Sequence, residues 1–322
     1  MGLIDQRLIN FASAIVAFAS DYLIGAPLRP DWVDVPPVSM NATQLQQFQT
    51  AMWLSINVSE VATNPPQYFY PDFTYAFRDY NDQAMVTFMD GTCYGAFKGM
   101  APALYDFMQG VGIYGTKDVC SSEGCCTLDR GISQGYYGQF WELFEEKIRE
   151  CHHTLCPDSV DGCPVVLTGH SQGAAIATVA SVALADLRPA LYSFGGQKIL
   201  HRGHPCHILD QMDTYLRVTT VCEYEGLATY DINAHVNPLL THTGTMIILG
   251  HGGAATVAHN HDMTLMPYKV PCHGIFDPYL FSILQLQPDQ PLDGFVPGSV
   301  CSRDVECKSN KCAHHRCTDL EI

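Results

Sequence analysis

A serine flanked by two glycines, in Gly169-His170-Ser171-Gln172-Gly173, has the neighbours a nucleophile needs. The pentapeptide follows the apolar run CPVVLT at residues 163–168 and precedes an Ala-rich stretch over residues 172–187. This pattern predicts a buried strand, a sharp turn and a helix, with Ser171 at the apex. Such a turn forces Ser171 into a strained backbone conformation and leaves its hydroxyl exposed. Gly169 and Gly173 are required there because side chains would collide with the neighbouring strand and helix. The backbone N–H of Gln172 would point at the oxyanion that forms when the hydroxyl attacks a carbonyl carbon. A serine hydroxyl is a weak nucleophile and needs a base that a carboxylate orients. The sequence after Ser171 offers several histidines and several carboxylates.

Elements that could hold such a site recur along the chain. Residues 42–62 read as a helix, with Leu45, Phe48, Met52, Ile56 and Val61 near helical spacing. Residues 67–80 are rich in Tyr and Phe and suit a strand or a covering segment. The run AMVTFM at 84–89 reads as a strand ending in the turn Asp90-Gly91. Residues 136–150 form an amphipathic helical pattern. Residues 190–194, 215–221 and 245–249 read as further strands. Strands alternating with helices at this spacing predict a mostly parallel sheet covered on both faces.

Bulk composition narrows the partners. The chain has 322 residues, 47% hydrophobic and 16% charged, which describes a well-cored globular protein. Its net charge of -16 argues against nucleic acid, which is bound by clustered Lys and Arg, and against docking on anionic lipid. Any lipid contact must then be apolar. The 14 cysteines point to crosslinks formed in an oxidising compartment rather than to zinc. Leu8 to Ala19 is a short apolar run ending in Ala17-Phe18-Ala19, which fits a cleaved leader or a buried first helix, and is too short to span a bilayer. The sequons Asn41-Ala42-Thr43 and Asn57-Val58-Ser59 agree with secretion. The expected localisation is extracellular.

PVVLTGHSQGAAIATVASVAL followed by ALYSFGGQKI resembles the class 3 (fungal-type, triacylglycerol) lipases, whose elbow reads GHSLGGALA before a strand ending in FG-x-P. The likeness runs from about residue 84 to about residue 282. It implies an α/β-hydrolase fold and ester hydrolysis. It also suggests partners for Ser171. The family's D-P-V-P-H-L-P-P acid segment is similar to residues 231–238, which makes Asp231 the acid; spacing counted from Arg217-Val218 lands on Glu223 instead. For the base, the D-H-L-x-Y-F segment finds its nearest match at Cys272-His273-Gly274, with His261 as the competitor. The family's V-F-R-G-T segment, which donates a second N–H to the oxyanion, resembles Phe88-Met89-Asp90-Gly91-Thr92, so Thr92 is the expected donor beside Gln172. Asp90 departs from the family's arginine. A metal site at His251, His259 and His261 lacks the partners that would complete a tetrahedral set. No cofactor or metal is implied.

Residues 100–127 occupy the place of a lid in these relatives. Their glycines could act as hinges, and Cys120, Cys125 and Cys126 could equally tie them into a fixed loop. Cys301, Cys307, Cys312 and Cys317 lie in a polar tail that only crosslinks could hold, serving as a docking appendage or a cap. The organisation expected is therefore a leader or N-terminal helix over 1–25, a hydrolase domain over 26–290, and a Cys-rich module over 299–322. The reaction implied is hydrolysis of a lipid ester, met at a lipid–water interface. Phospholipids and feruloyl-type esters are other substrates for the same machinery. A lipase-like binding protein without activity is the alternative from another class.

Overall fold

Asn41 opens the first described helix with a reciprocal cap. Its Oδ1 accepts the Gln44 backbone N–H at 2.9 Å, and its own N–H is donated to Gln44 Oε1 at 3.2 Å. Helix α1 then runs over Ala42–Val61. Met40 and Leu45, on either side of the cap, are buried in the same apolar cluster. The computed structural model describes residues 40–61, 73–79, 82–99, 115–130, 132, 141–201, 204–224, 227–230, 240–251, 312–313 and 316–317.

Three strands come after α1: β1 (Thr74–Asp79), β2 (Asp82–Met89) and β3 (Thr92–Phe97). Asp90 and Gly91 join β2 to β3 with φ of 48° and 74°. Two positive φ angles make the mirror-image turn that matches the twist of a hairpin, which is why Asp-Gly stands there. A second hairpin, β4 (Thr116–Ser121) and β5 (Gly124–Asp129), precedes helix α2 (Trp141–Thr154). Trp141, Phe144, Ile148 and Cys151 form the buried stripe of α2.

The nucleophile segment comes next. Strand β6 (Val165–His170) leads through Ser171 into helix α3 (Gln172–Ala183). A single 3-10 turn, Ala185–Leu187, carries the chain on to β7 (Ala190–Phe194), so the α-helix is shorter than the stretch 172–187 expected. Then come β8 (Leu200–His201), the short helix α4 (His207–Asp210), β9 (Tyr215–Tyr224), β10 (Leu227–Tyr230), β11 (Leu240–Thr241) and β12 (Thr245–His251). In the Cys-rich tail, β13 (Cys312–Ala313) and β14 (Arg316–Cys317) pair antiparallel, with Cys312 opposite Cys317.

The main sheet has the order β1-β2-β3-β6-β7-β9-β10, and β12 pairs with the other edge of β9. Strands β3, β6, β7, β9 and β12 run parallel, while β1, β2 and β10 pair antiparallel with their neighbours. Residues of α1 join the cluster on one face, and residues of α2 and α3 join the cluster on the other. This is the mostly parallel sheet, covered on both faces, that the alternating pattern predicts.

A second sheet, β11-β8-β5-β4, is wholly antiparallel, and no strong apolar alternation in the sequence foreshadows it. Its strands β8 and β11 are only two residues long. Disulfides hold it: Cys120–Cys125 crosses the β4–β5 hairpin, and Cys126–Cys206 ties β5 to the start of α4. In the main domain Cys93–Cys151 joins β3 to α2, and Cys156–Cys163 closes the loop before β6. Eight cysteines of the described core are thus crosslinked, as the composition suggested. Residues 115–127 of the segment compared with a lid belong to this stapled hairpin, and residues 100–114 lie outside the described residues. Among the described residues no helix is long and apolar enough to cross a membrane.

Candidate active site

Ser171 has φ 58° and ψ -126°, a combination that L-residues rarely adopt. A residue held there costs about 1–3 kcal/mol, and the surrounding structure must over-determine it. Here it does. The Ser171 N–H is donated to the Phe194 carbonyl at 2.9 Å, and the Ser171 carbonyl accepts the Ala174 N–H at 3.1 Å. The serine is thereby clamped between the end of β7 and the first turn of α3.

The flanking glycines are there because the turn is so tight. A Cβ at Gly169 would come to 2.3 Å from the Gly173 carbonyl carbon, and one at Gly173 to 2.2 Å from the Phe97 carbonyl oxygen. Both distances are impossible for real atoms, so the steric reading of Gly-x-Ser-x-Gly holds. Helix α3 is rich in Ala and Gly, with every residue from Gln172 to Val182 buried. Small side chains let it lie close on the sheet with its N-terminus at Ser171. Its first turn has no acidic residue, so the positive end of the helix dipole is not cancelled there. The Gln172 backbone N–H starts this helix, where a developing anion is favoured.

Ser171 is 3% exposed, which corrects the expectation of an exposed hydroxyl. The strained turn lifts the serine off the sheet, yet the surrounding chain still covers it.

Thr92 is also placed differently from expectation. Strands β3 and β6 are parallel, with Cys93 opposite Val165 and Phe97 opposite Gly169. Ser171 follows the carboxyl end of β6, whereas Thr92 begins β3 at the opposite end of the sheet. About 17 Å of strand separates Thr92 from Phe97. The Thr92 side chain, 5% exposed, instead serves the packing of α1: its hydroxyl hydrogen-bonds Tyr94 and lies 3.5 Å from Gln47 Nε2. Nearby, Gln46 Nε2 is donated to Asp90 Oδ2 at 2.9 Å. The structure therefore does not bring Thr92 to the nucleophile.

Phe97-Lys98-Gly99 takes that position instead. A Cβ at Gly99 would lie 3.4 Å from Ser171 Cβ and 3.0 Å from the His170 carbonyl oxygen. Lys98 stands in this segment where the family's F-R-G pattern has arginine. No local signal in the sequence finds it, because it depends on strand direction. Strand β2 runs antiparallel to β3, and β3 runs parallel to β6, so the turn after β2 falls at the wrong end. Catalytic loops in parallel sheets leave from the carboxyl ends.

Of the other expected partners, Asp231, His273 and His261 lie outside the described residues. Glu223 lies in β9 opposite Ala228 of β10. Strand pairing fixes where β10 ends. Val221 pairs with Tyr230 and with Gly250, while Arg217 pairs with Ser193 and with Met246. Strands β10 and β7 thus share one edge of β9, and β10 lies just beyond the carboxyl end of β7. It ends at Tyr230, the residue before Asp231.

Among the described residues, two clefts open at the other end of the sheet. One of about 680 Å³ is bordered by His152, Asp161, Arg188 and Asp213, and one of about 340 Å³ by Met40, Asp210 and Gly244. Neither includes Ser171. Among the described residues no group of three or more His, Cys, Asp and Glu is arranged to hold a metal ion.

Residues 101–223 match the family model "Lipase (class 3)". Solved structures with a similar fold include lipase II from Rhizopus niveus, at 18% identity and TM-score 0.50, covering 66% of this chain and 83% of that one. A triacylglycerol lipase from Penicillium expansum aligns at 16% identity and TM-score 0.45, covering 78% and 92%. The Rhizomucor miehei lipase–propeptide complex aligns at 15% identity and TM-score 0.47, covering 71% and 79%. No curated protein matches the chain.

Proposed function

We propose that the chain, whose residues 101–223 match the class 3 lipase model, is a carboxylic ester hydrolase on an α/β-hydrolase fold that cleaves lipid esters through an acyl-enzyme on Ser171. The observation that carries this reading is the backbone of Ser171, strained at φ 58° and clamped between β7 and the N-terminus of α3. Strain of that kind at a strand-to-helix turn suits a nucleophile.

In this mechanism the Ser171 oxygen attacks the ester carbonyl while a histidine takes its proton. His273 is the proposed base, with His261 as the second candidate. Asp231 orients the imidazole; the end of β10 at Tyr230, beyond the carboxyl end of β7, supports it over Glu223. The carbonyl oxygen becomes an oxyanion, stabilised by the Gln172 N–H and the positive end of α3. The second donor is expected from the segment that leaves β3 at Gly99, which lies against Ser171, in place of Thr92. The histidine then protonates the departing alcohol, and water hydrolyses the acyl-enzyme by the reverse sequence.

The substrate class proposed is a neutral lipid ester approached through apolar contact, since a net charge of -16 repels anionic surfaces. Four disulfides among the described residues support export to an oxidising compartment. A fluorophosphonate probe tests the core of the proposal. Wild-type protein should be labelled and Ser171→Ala should not; equal labelling of the two would sink it. A series of p-nitrophenyl esters of graded chain length then reads the acyl preference.

A further inference from the structure

The chain has two sequons in the described region, both in or beside α1, and the structure treats them differently. Asn41, Ala42 and Thr43 are all exposed. Asn41 caps α1 through Oδ1, which accepts the Gln44 N–H, and the cap makes no use of its Nδ2. A sugar bonded to Nδ2 leaves Oδ1 in place, so the cap and the modification are compatible. Asn57 is half-buried inside the helix, its Nδ2 donated to the Trp53 carbonyl at 2.8 Å, and the next residue, Val58, is 2% exposed. A sugar on that nitrogen would disrupt this bond on a half-buried side chain next to buried Val58.

The two sites also differ in where they sit along the sheet. Near the start of α1, Gln46 and Gln47 reach Asp90 and Thr92 at the amino end of β3. Farther along, Ser55 Oγ lies 2.9 Å from Thr168 Oγ1, three residues before the nucleophile. Asn41 is therefore on the end of the molecule away from Ser171, and Asn57 is near the end that carries it.

We infer that Asn41 is an N-glycosylation site, that Asn57 stays unmodified, and that the glycan faces away from the surface through which ester substrate enters. The transfer joins Nδ2 to the anomeric carbon of a lipid-pyrophosphate-linked oligosaccharide. The carbon–oxygen bond to the carrier breaks, the lipid pyrophosphate leaves with the electron pair, and one amide proton is lost to base. The inference rests on the export reading above, because only an exported chain meets that donor.

The test is expression of the full chain through a eukaryotic secretory pathway, followed by glycopeptide mass spectrometry and esterase assay. Secreted wild type should carry glycan on Asn41 alone. Thr43→Ala removes the sequon while keeping the Asn41 cap, and should lose the glycan with turnover unchanged. Asn57→Gln should keep the wild-type glycan. Secreted, disulfide-bonded protein with bare Asn41, or with glycan on Asn57, overturns the inference while leaving the hydrolase reading intact. Retention of wild type inside the cell with reduced cysteines overturns the export reading and this inference with it.

Discussion

Gly173 lies directly against the Phe97 carbonyl, so close that a Cβ would come within 2.2 Å of its oxygen and 2.5 Å of the Lys98 carbonyl oxygen. Helix α3 and the end of β3 are held at this spacing by the absence of one carbon atom. Gly173→Ala must push them apart, at an overpacking cost of about 1–3 kcal/mol. Because Gly99 leaves β3 at the same point, turnover should fall further than folding does. Thermal unfolding and ester hydrolysis on the same preparation check both halves. Wild-type melting and turnover in the variant would contradict the contact.

The acid and the base are best separated by single replacements. Losing the true base should cost at least about a thousandfold in kcat, whereas the wrong histidine should leave most turnover intact. His273→Ala is expected to fall in the first class and His261→Ala in the second. Asp231→Asn and Glu223→Gln form the parallel pair, with Asp231 expected to matter. The reverse outcome in either pair reassigns the residue.

Thr92→Ala distinguishes a packing role from a catalytic one. Its hydroxyl hydrogen-bonds Tyr94 and approaches Gln47, so removal should cost about 1 kcal/mol of stability. At temperatures where the variant is folded, kcat should match wild type. An oxyanion donor would instead show a drop of about a hundredfold or more.

Local patterns encode some features of this molecule and not others. Strand–Ser171–helix, the Asp90-Gly91 hairpin and the amphipathic stripe of α2 are all readable in the sequence, because each rests on local periodicity or on turn chemistry. The direction of β2 is not. An apolar run such as AMVTFM has the same pattern whichever way it runs in the sheet, so nothing in it corrects the resemblance to V-F-R-G-T that puts Thr92 at the wrong end. The antiparallel sheet of β4, β5, β8 and β11 is hidden for a different reason: two-residue strands have no periodicity to detect, and disulfides rather than apolar alternation hold them. The burial of Ser171 depends on chain that is distant in sequence, which a local turn cannot report.

Alkaline stability should depend on the tyrosines beneath α1. Burial raises the Tyr94 phenol from its ordinary value near 10 to about 12. The folded state therefore binds this proton more tightly than the unfolded chain does. The resulting stabilisation is full below about pH 10 and is lost as pH rises through about 12. Tyr94→Phe should flatten the fall in melting temperature across that window. Burial raises Tyr192 as well, and among the described residues its hydroxyl has no hydrogen-bond partner. Tyr192→Phe should therefore be neutral or stabilising by about 1 kcal/mol, read by denaturant titration.

Cys93–Cys151 closes a loop of 58 residues between β3 and α2. In the chain-entropy account its removal costs about 4 kcal/mol. Paired Cys93→Ala and Cys151→Ala replacements should lower the unfolding midpoint accordingly. A midpoint unchanged from wild type would mean that packing of Phe144 and Phe97, at 4.8 Å between ring centroids, suffices to hold α2 in place.

Strand β3 also works as a ruler. Six residues measure the distance from an anchor, where Thr92 and Asp90 grip α1, to a working tip, where Gly99 meets Ser171. Adding or deleting one residue would shift the tip by about 3.3 Å and turn its side chains to the opposite face. No rearrangement at the anchor could compensate for that. Lineages that share this site are therefore expected to vary the composition of the strand while keeping its length fixed, and insertions should gather on either side of it.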